Sequence, residues 1–404
     1  MRIGIDITSA IRQGAGIGRF TRELIRALLS LDSPHEVVLF AATGGLPRST
    51  TQARLDHVTQ PALDHHLKFD ICNLTFLSDD WLHRIWHRAR LPIPIQALLG
   101  HVDVFHEPDF VLPPTLPGTP TILTIHDLTF IRDPDSALPQ LRRYLNRVVP
   151  RSVARATQVL ADSLATKNDL VELFGTTPDQ VTVMYGGVDA RFAPVRDPQQ
   201  IAAVRDKYHL GGAPFILGLG TLQPRKNYKR LIQAFSILKF RLSIANLQLV
   251  IVGGKGWLYD DIFGEVKRLG LEGHVVFPGF ADDEDLPALY SAAELLAYPS
   301  LYEGFGLPVL EAMACGTPAI TSNVSSLPEV GGDAALLVEP MDVDAIAQAM
   351  LRLLQDQHLR QTCITRGFEQ ACRFTWENAA VQLLKLYAAL GVPSSMRLRG
   401  KAIS

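Results

Sequence analysis

Seven residues separate two glutamates in Ser300-Leu-Tyr-Glu303-Gly-Phe-Gly-Leu-Pro308-Val-Leu-Glu311, which runs on through Ala-Met-Ala-Cys-Gly316-Thr-Pro318. Gly304 and Gly306 supply a turn, and Pro308 suits the first turn of a helix, where an N–H has no partner to lose. Backbone N–H groups at such a helix start suit a phosphate. Glu303 is then expected in the turn and Glu311 one turn inside the helix, so the two could grip different parts of one bound molecule. A carboxylate that accepts two hydroxyl hydrogen bonds suits a ribose 2′,3′-diol. The same pattern also fits a plain helix start whose dipole favours acids.

Arg225-Lys226 falls in the loop after an apolar run, Phe215–Leu219, close ahead of the helical pattern 228–240. Two adjacent cations there suit a diphosphate, Arg by its planar fork and Lys as a point charge. Taken alone they also read as a solvated basic turn. Gly14-Ala15-Gly16-Ile17-Gly18 follows the first strand pattern. It is either a dinucleotide-type loop, with Glu36 at the spacing of a ribose acid, or a tight turn before a helix. Gly16 would let a backbone approach a ligand closely. His126-Asp127 follows the run Thr121–Ile125. A histidine at a strand's carboxyl end is expected to point into a cleft; the alternative is a ring satisfied by local hydrogen bonds. Asp127 could orient that ring or hold an acceptor hydroxyl. Trp81-Leu-His-Arg-Ile-Trp86-His-Arg-Ala-Arg90 mixes aromatics and bases at helical spacing. It reads either as a contact with an anionic membrane or as core aromatics with solvated bases. Asp79-Asp80 and Asp282-Asp283 read as polar turns, so no metal site is expected.

The elements that must position these residues alternate. Strands are expected at 2–8, 37–41, 102–105, 121–125, 158–161 and 181–184, with a helix over 19–31. The second half restarts with strands at 215–219, 247–252, 275–277, 295–298, 319–321 and 335–338. Helices over 228–240, 261–269, 286–293, 308–314 and 343–355 lie between them. Such alternation predicts an α/β protein built from two Rossmann-like, doubly wound parallel sheets facing a cleft. Ligands in such sheets bind beyond the carboxyl ends of the strands. The polar, proline-bearing stretch 190–212 reads as a linker. The expected domains are 1–195, 196–375 and a closing helix with a basic tail, 376–404.

Composition narrows the classes. The 404 residues are 47% hydrophobic and 20% charged, which suits an ordinary globular chain rather than a disordered one. Lys and Arg number 39 against 41 Asp and Glu, without the basic excess of a nucleic-acid binder. Cys72, Cys315, Cys363 and Cys372 form no paired or zinc-type spacing, so a reducing, cytoplasmic setting is expected, with any membrane contact peripheral.

The segment 300–318 resembles the E-x7-E signature of retaining glycosyltransferases of the GT-B architecture, family 4 or "group 1", a set that includes mannosyltransferases. The resemblance also takes in the first glycine loop, His126-Asp127, Ala161-Asp162-Ser163, Tyr185-Gly186-Gly187-Val188-Asp189, Gly220 to Asn227 and Ser326-Leu-Pro-Glu329-Val. It implies that Glu303 faces the transferred sugar and Glu311 holds the nucleotide ribose. Backbone N–H groups of Phe305, Gly306 and Leu307 would reach toward the sugar or phosphate, and His126 would touch the sugar. The nucleotide then belongs to the second half, and the loop with Gly16 and Gly18 closes over the diphosphate and acceptor. Much of the family carries an arginine directly after the glycine that is Gly220 here; this chain has Thr221, and Arg225 is expected to supply that cation beside Lys226. The implied reaction moves a sugar, best read as mannose from GDP-mannose, to a hydroxyl of a saccharide or lipid-linked acceptor. Configuration is retained, no cofactor or metal takes part, and GDP or UDP leaves. The start Gly16-Ile-Gly-Arg-Phe-Thr-Arg-Glu-Leu24 favours mannose. A nucleotide-sugar epimerase and a non-catalytic nucleotide-sugar-binding module are the alternatives. Neither would need Glu311, Lys226, His126 and Glu303 together.

Overall fold

Each half of the chain closes on its own parallel sheet in the computed structural model, which describes residues 1–14, 16–64, 68–241 and 246–391. The first sheet is built from β1 (Arg2–Asp6), β2 (Glu36–Ala42), β3 (Phe69–Leu74), β4 (Val104–Glu107), β5 (Thr121–Ile125), β6 (Gln158–Ala161) and β7 (Val181–Val183). Their spatial order is β3-β2-β1-β4-β5-β6-β7. The second contains β8 (Phe215–Leu219), β9 (Gln248–Val252), β10 (Val275–Gly279), β11 (Leu295–Tyr298), β12 (Ala319–Ser322) and β13 (Ala335–Val338), in the order β10-β9-β8-β11-β12-β13. Every pairing is parallel, for example Ile5 with Leu39 and His106, and Leu217 with Val250 and Leu296. The expected pair of doubly wound α/β sheets is what the chain forms.

A parallel sheet must be covered on both faces, because its crossover helices lie on both. The second sheet shows this in alternate residues. Phe215, Leu217, Val250 and Val252 pack into one apolar cluster, while Ile216, Leu249 and Ile251 pack into another. In each sheet the strand order reverses direction once: between β1 and β4 in the first, and between β8 and β11 in the second. Those are the two points where a crevice opens beyond the strand ends.

The chain forms two compact units. One comprises Met1–Leu128, Arg143–Gly187 and the described part of 376–404; the other comprises Thr129–Arg142 and Val188–Thr375. The stretch 190–212 is ordered: it holds a helix, Pro198–Lys207, whose start is capped by the Asp197 side chain accepting from Gln199 N–H. Val204, Tyr208 and Leu210 from this stretch enter the second unit's core. The helix Trp376–Gly391 packs on the helix Ile17–Leu29 in the first unit. Ala15 and the basic tail beyond Gly391 lie outside the described residues.

Several local details depart from the sequence reading. β1 ends at Asp6, because Thr8–Arg12 forms a short helix whose first turn is fixed by Asp6 accepting the Thr8 N–H at 2.7 Å. The sheet edge β3 and the helix Pro139–Arg155 have no counterpart in that reading. In the 81–90 segment Leu82 and Trp86 are the buried apolar residues, whereas Trp81 is exposed with Arg84 over its ring. No helix among the described residues is long and apolar enough to cross a membrane.

Candidate active site

The crevice point of the second sheet gathers the cations and one of the two glutamates. Gly220 directly follows β8, and the turn Pro224–Lys226 brings Arg225 and Lys226 back toward the end of β11, where Tyr298 and then Glu303 lie. Lys226 Nζ donates to Glu303 Oε1 at 2.7 Å and also to the Tyr298 hydroxyl. Tyr298 O–H donates to the same Oε1 at 2.9 Å. Arg225 takes the other oxygen of Glu303 and donates to the Tyr302 carbonyl at 2.8 Å. The charges are well withdrawn from water, Glu303 being 6% exposed and Lys226 8%. Burial by itself would raise the Glu303 carboxyl. The Arg225 and Lys226 charges overcome it and hold the group at about 2. Glu303 is therefore an anion at any working pH, and it neutralises part of a doubly cationic loop.

The loop backbone explains why these residue types sit here. Asn227 adopts positive φ at the end of the turn, and its amide donates to the carbonyls of Pro299 (2.9 Å) and Pro340 (2.7 Å), pinning the cation loop to β11. A Cβ on Gly220 would sit 3.1 Å from Lys226 Cε, at a φ of +136°, so glycine leaves the lysine stem its path. Ser325 Oγ accepts the Glu303 N–H, and Ser326 Oγ donates to the carbonyls of Glu303 and Phe305. The turn 303–306 is thus held from behind.

Gly306 (φ +126°) precedes the helix Leu307–Ala314. The Phe305 ring is buried against Phe374, so only the backbone of Phe305 is available for a ligand. Leu307 is partly buried on the same cluster. Glu311 lies inside the helix, 2% exposed, and accepts from the Tyr290 hydroxyl at 2.8 Å. Glu303 and Glu311 thus have separate partners: Arg225, Lys226 and Tyr298 meet the first, and Tyr290 meets the second.

In the first unit His126 is 5% exposed. Its Nδ1 lies 2.7 Å from Asp162 Oδ2 and its Nε2 lies 2.8 Å from the Pro108 carbonyl. Phe20 and Phe110 stand edge-on to the ring. Both partners are acceptors, so both nitrogens must carry protons. Burial pulls the imidazole down, but the Asp162 carboxylate outweighs it and lifts the ring to about 9. The orienting partner of His126 is therefore Asp162 and not Asp127, and the ring is clamped rather than free to swing. Asp127 is half-buried beside it in sequence. Gly18 lies in the first turn of the helix Ile17–Leu29, which packs on Thr8–Arg12; a Cβ there would lie 2.4 Å from the Gln13 carbonyl oxygen. Packing alone requires a glycine at that position. Gly16, at φ +58°, has open space around it. Arg22 clasps this loop from inside, donating to the carbonyls of Ala10, Gln13 and Gly14.

Sequence reasoning missed Tyr298, Tyr290 and Arg22 as members of these networks. Asp162 lay within a quoted motif without a role. The signal that could have found Tyr298 is its place as the last residue of a strand at a crevice point.

Two family models match the chain in succession: Glycosyltransferase Family 4 over residues 14–192 and Glycosyl transferases group 1 over residues 201–370. The chain is 34% identical over 380 residues to the O-antigen chain mannosyltransferase B of Escherichia coli, covering 93% of this chain and 96% of that protein. It is 30% identical over 422 residues to the MMP alpha-(1→4)-mannosyltransferase of Mycolicibacterium hassiacum, covering 96% and 98% respectively. The structure of Anabaena HepE in complex with UDP and glucose superposes with a TM-score of 0.70 at 19% identity, over 96% of this chain and 99% of that one.

Proposed function

The chain belongs to the family 4, group 1 glycosyltransferases, and from that footing we propose that it moves mannose from GDP-mannose to a hydroxyl of a saccharide or lipid-linked acceptor. Like its family it is a retaining, metal-independent glycosyltransferase that uses a nucleotide-sugar donor. The observation that carries the donor reading is the buried cluster of Arg225, Lys226 and Glu303 at the crevice point of the second sheet.

In this reading Lys226 and Arg225 meet the diphosphate. Negative charge grows on it as the glycosidic bond breaks, so cations fixed in a dry loop stabilise the transition state more than the ground state. The departing diphosphate oxygen takes the proton of the acceptor hydroxyl on the face it leaves, which retains configuration. Glu303 keeps the two cations in place and faces the sugar. Backbone N–H groups of Phe305, Gly306 and Leu307 complete the grip. Glu311 meets the ribose hydroxyls, since a carboxylate offers about four acceptor sites. His126, held charged by Asp162, contributes a fixed positive charge toward the reacting sugar, and Gly16 and Asp127 belong to the acceptor side. Mannose is favoured by the names of the two relatives matched almost end to end.

The test is a panel of GDP- and UDP-sugars incubated with the protein, with and without saccharide acceptors, read as free nucleoside diphosphate. GDP-mannose should give the fastest acceptor-dependent release. Faster release from a UDP-sugar would overturn the donor assignment.

A further inference from the structure

Two stretches, 81–91 and 139–155, carry eight arginines and no acid between them, in a chain whose net charge is −2. Arg84, Arg88 and Arg90 come from the first stretch, and Arg142, Arg143, Arg147, Arg151 and Arg155 from the second. The last four recur every fourth residue, so they are neighbours along the helix Pro139–Arg155. The fold brings the two stretches together. A groove of about 400 Å³, lined by residues of the first unit alone, takes Arg90 from one and Arg151 and Arg155 from the other. Trp86, Leu91, Pro114 and Val148 give the groove apolar walls, and no acid is among its lining residues.

The positive charge here is not compensated from within. Arg84, Arg88, Arg90, Arg147 and Arg151 form no ion pair among the described residues. Arg155 donates to the carbonyls of Leu112 (3.3 Å) and Pro113 (2.6 Å), which fixes its guanidinium and neutralises nothing. His87, also in the lining, is pushed down to about 4 by burial and by its neighbours His83 and Arg155, so the charge of the groove rests on the arginines. Like charges gathered around one groove repel each other unless an anion lies among them. The guanidinium fork suits phosphate oxygens. The same segment displays apolar side chains to solvent. Trp81 is 55% exposed with Arg84 over its ring, and Leu91 and Ile93 are also exposed. Trp86 Nε1 donates to the Ile93 carbonyl at 2.9 Å and so holds the turn that presents them. A free phosphate needs cations alone, and a nucleic acid gains little from leucine and isoleucine. Arginine beside exposed tryptophan and aliphatic side chains matches a phosphate joined to hydrocarbon.

We infer that this groove is where the first unit docks on an anionic phospholipid bilayer, its arginines seating lipid phosphates while Trp81, Leu91 and Ile93 enter the interface beside them. The helix Pro139–Arg155 supplies the half of the charge that lies outside the segment 81–91, and Arg155 joins the two by its hold on Leu112 and Pro113. The contact is peripheral and reversible, since it rests on surface charge and a few apolar side chains. It requires neither donor nor acceptor, so it stands apart from the sugar-transfer reading.

Sedimentation of the full chain with vesicles tests this, using phosphatidylcholine alone and phosphatidylcholine mixed equally with phosphatidylglycerol. The mixed vesicles should bind about tenfold more tightly or better, and raised salt should release the protein, because exposed charges are screened. Arg147→Ala combined with Arg151→Ala, at exposed helix positions that suit alanine, should weaken that binding about twenty-fivefold, each basic residue at an anionic surface being worth about fivefold. If the double variant does not fold, Trp81→Ala in its place should weaken binding to the same vesicles. Inorganic phosphate, added at the concentration of lipid phosphate, should not compete. Equal binding to both kinds of vesicle, absence of binding, or wild-type binding in the folded double variant would overturn the inference. So would displacement of the vesicles by inorganic phosphate, which would make the groove a site for the free anion, or by a single-stranded oligonucleotide, which would make it a nucleic-acid surface.

Discussion

Glu303 serves two cations at once, and that makes the cluster sensitive in both stability and catalysis. Lys226→Ala removes a charge that the account places on the leaving diphosphate. The expected loss in kcat/KM is about 2–4 kcal/mol, or roughly thirty- to a thousandfold, and steady-state kinetics with wild-type rates would remove Lys226 from the site. The His126–Asp162 pair gives a prediction in pH. The imidazole is raised from its ordinary 6.5 to about 9 in the folded protein. A raised basic group stabilises the fold fully below its unfolded value and loses that contribution as pH climbs through its folded value. Stability should therefore fall between about pH 6.5 and 9. Asp162→Asn should flatten that limb and bring the His126 NMR titration down toward or below 6.5. An unchanged titration would show that Asp162 does not hold the charge. The cationic turn and the two glutamates were legible in the sequence because their spacing is local. The partner of His126 was not, because a hydrogen bond spanning 36 residues depends on which strand ends lie side by side. Asp127 was the nearer acid in sequence and Asp162 is the one in reach.

Between β1 and the first long helix, five residues of the chain fold into the helix Thr8–Arg12, which the sequence reading took as strand and loop. A helix that short has no hydrophobic period to detect. The sheet edge β3 escaped for a related reason: its residues are partly exposed and do not form the apolar run that marked the central strands. β5 and β8 were recognised to the residue, since burial on both faces writes an unbroken apolar run, whereas the equally buried β4 starts two residues later than its apolar run 102–105 suggested. The short helix also fixes the meaning of Gly18. Gly18→Ala forces a Cβ to within 2.4 Å of a backbone oxygen. Overpacking of that kind costs about 1–3 kcal/mol, so thermal unfolding should show a lowered Tm, while nucleoside diphosphate binding stays normal. An unchanged Tm with lost transfer would instead make Gly18 a ligand contact.

Across the whole molecule, the chain interleaves its two units, and the last described helix completes the first rather than the second. Trp376, Ala380, Leu383 and Tyr387 are buried there, and the Tyr387 hydroxyl is 2.7 Å from Nδ1 of the fully buried His106. A chain ending at Thr375 leaves Nδ1 of that imidazole without its partner, while Nε2 keeps Thr124, at a cost of about 1–3 kcal/mol, besides the lost apolar burial. Hydrogen exchange should then show reduced protection in β1 and β4 while β8 to β12 stay protected; uniform loss would mean that the units do not unfold separately. The cations and both glutamates of the signature belong to one unit, and His126 to the other, so transfer should need the intact chain. The most direct measurement is an NMR time course of the full-length enzyme with GDP-mannose and a neutral saccharide acceptor. It reads released GDP and the one-bond carbon–proton coupling of the new anomeric centre. GDP and an α-linked mannoside should appear in equal amounts and together. A β-linked product, or an isomerised nucleotide sugar with no GDP released, would contradict retaining transfer by this site.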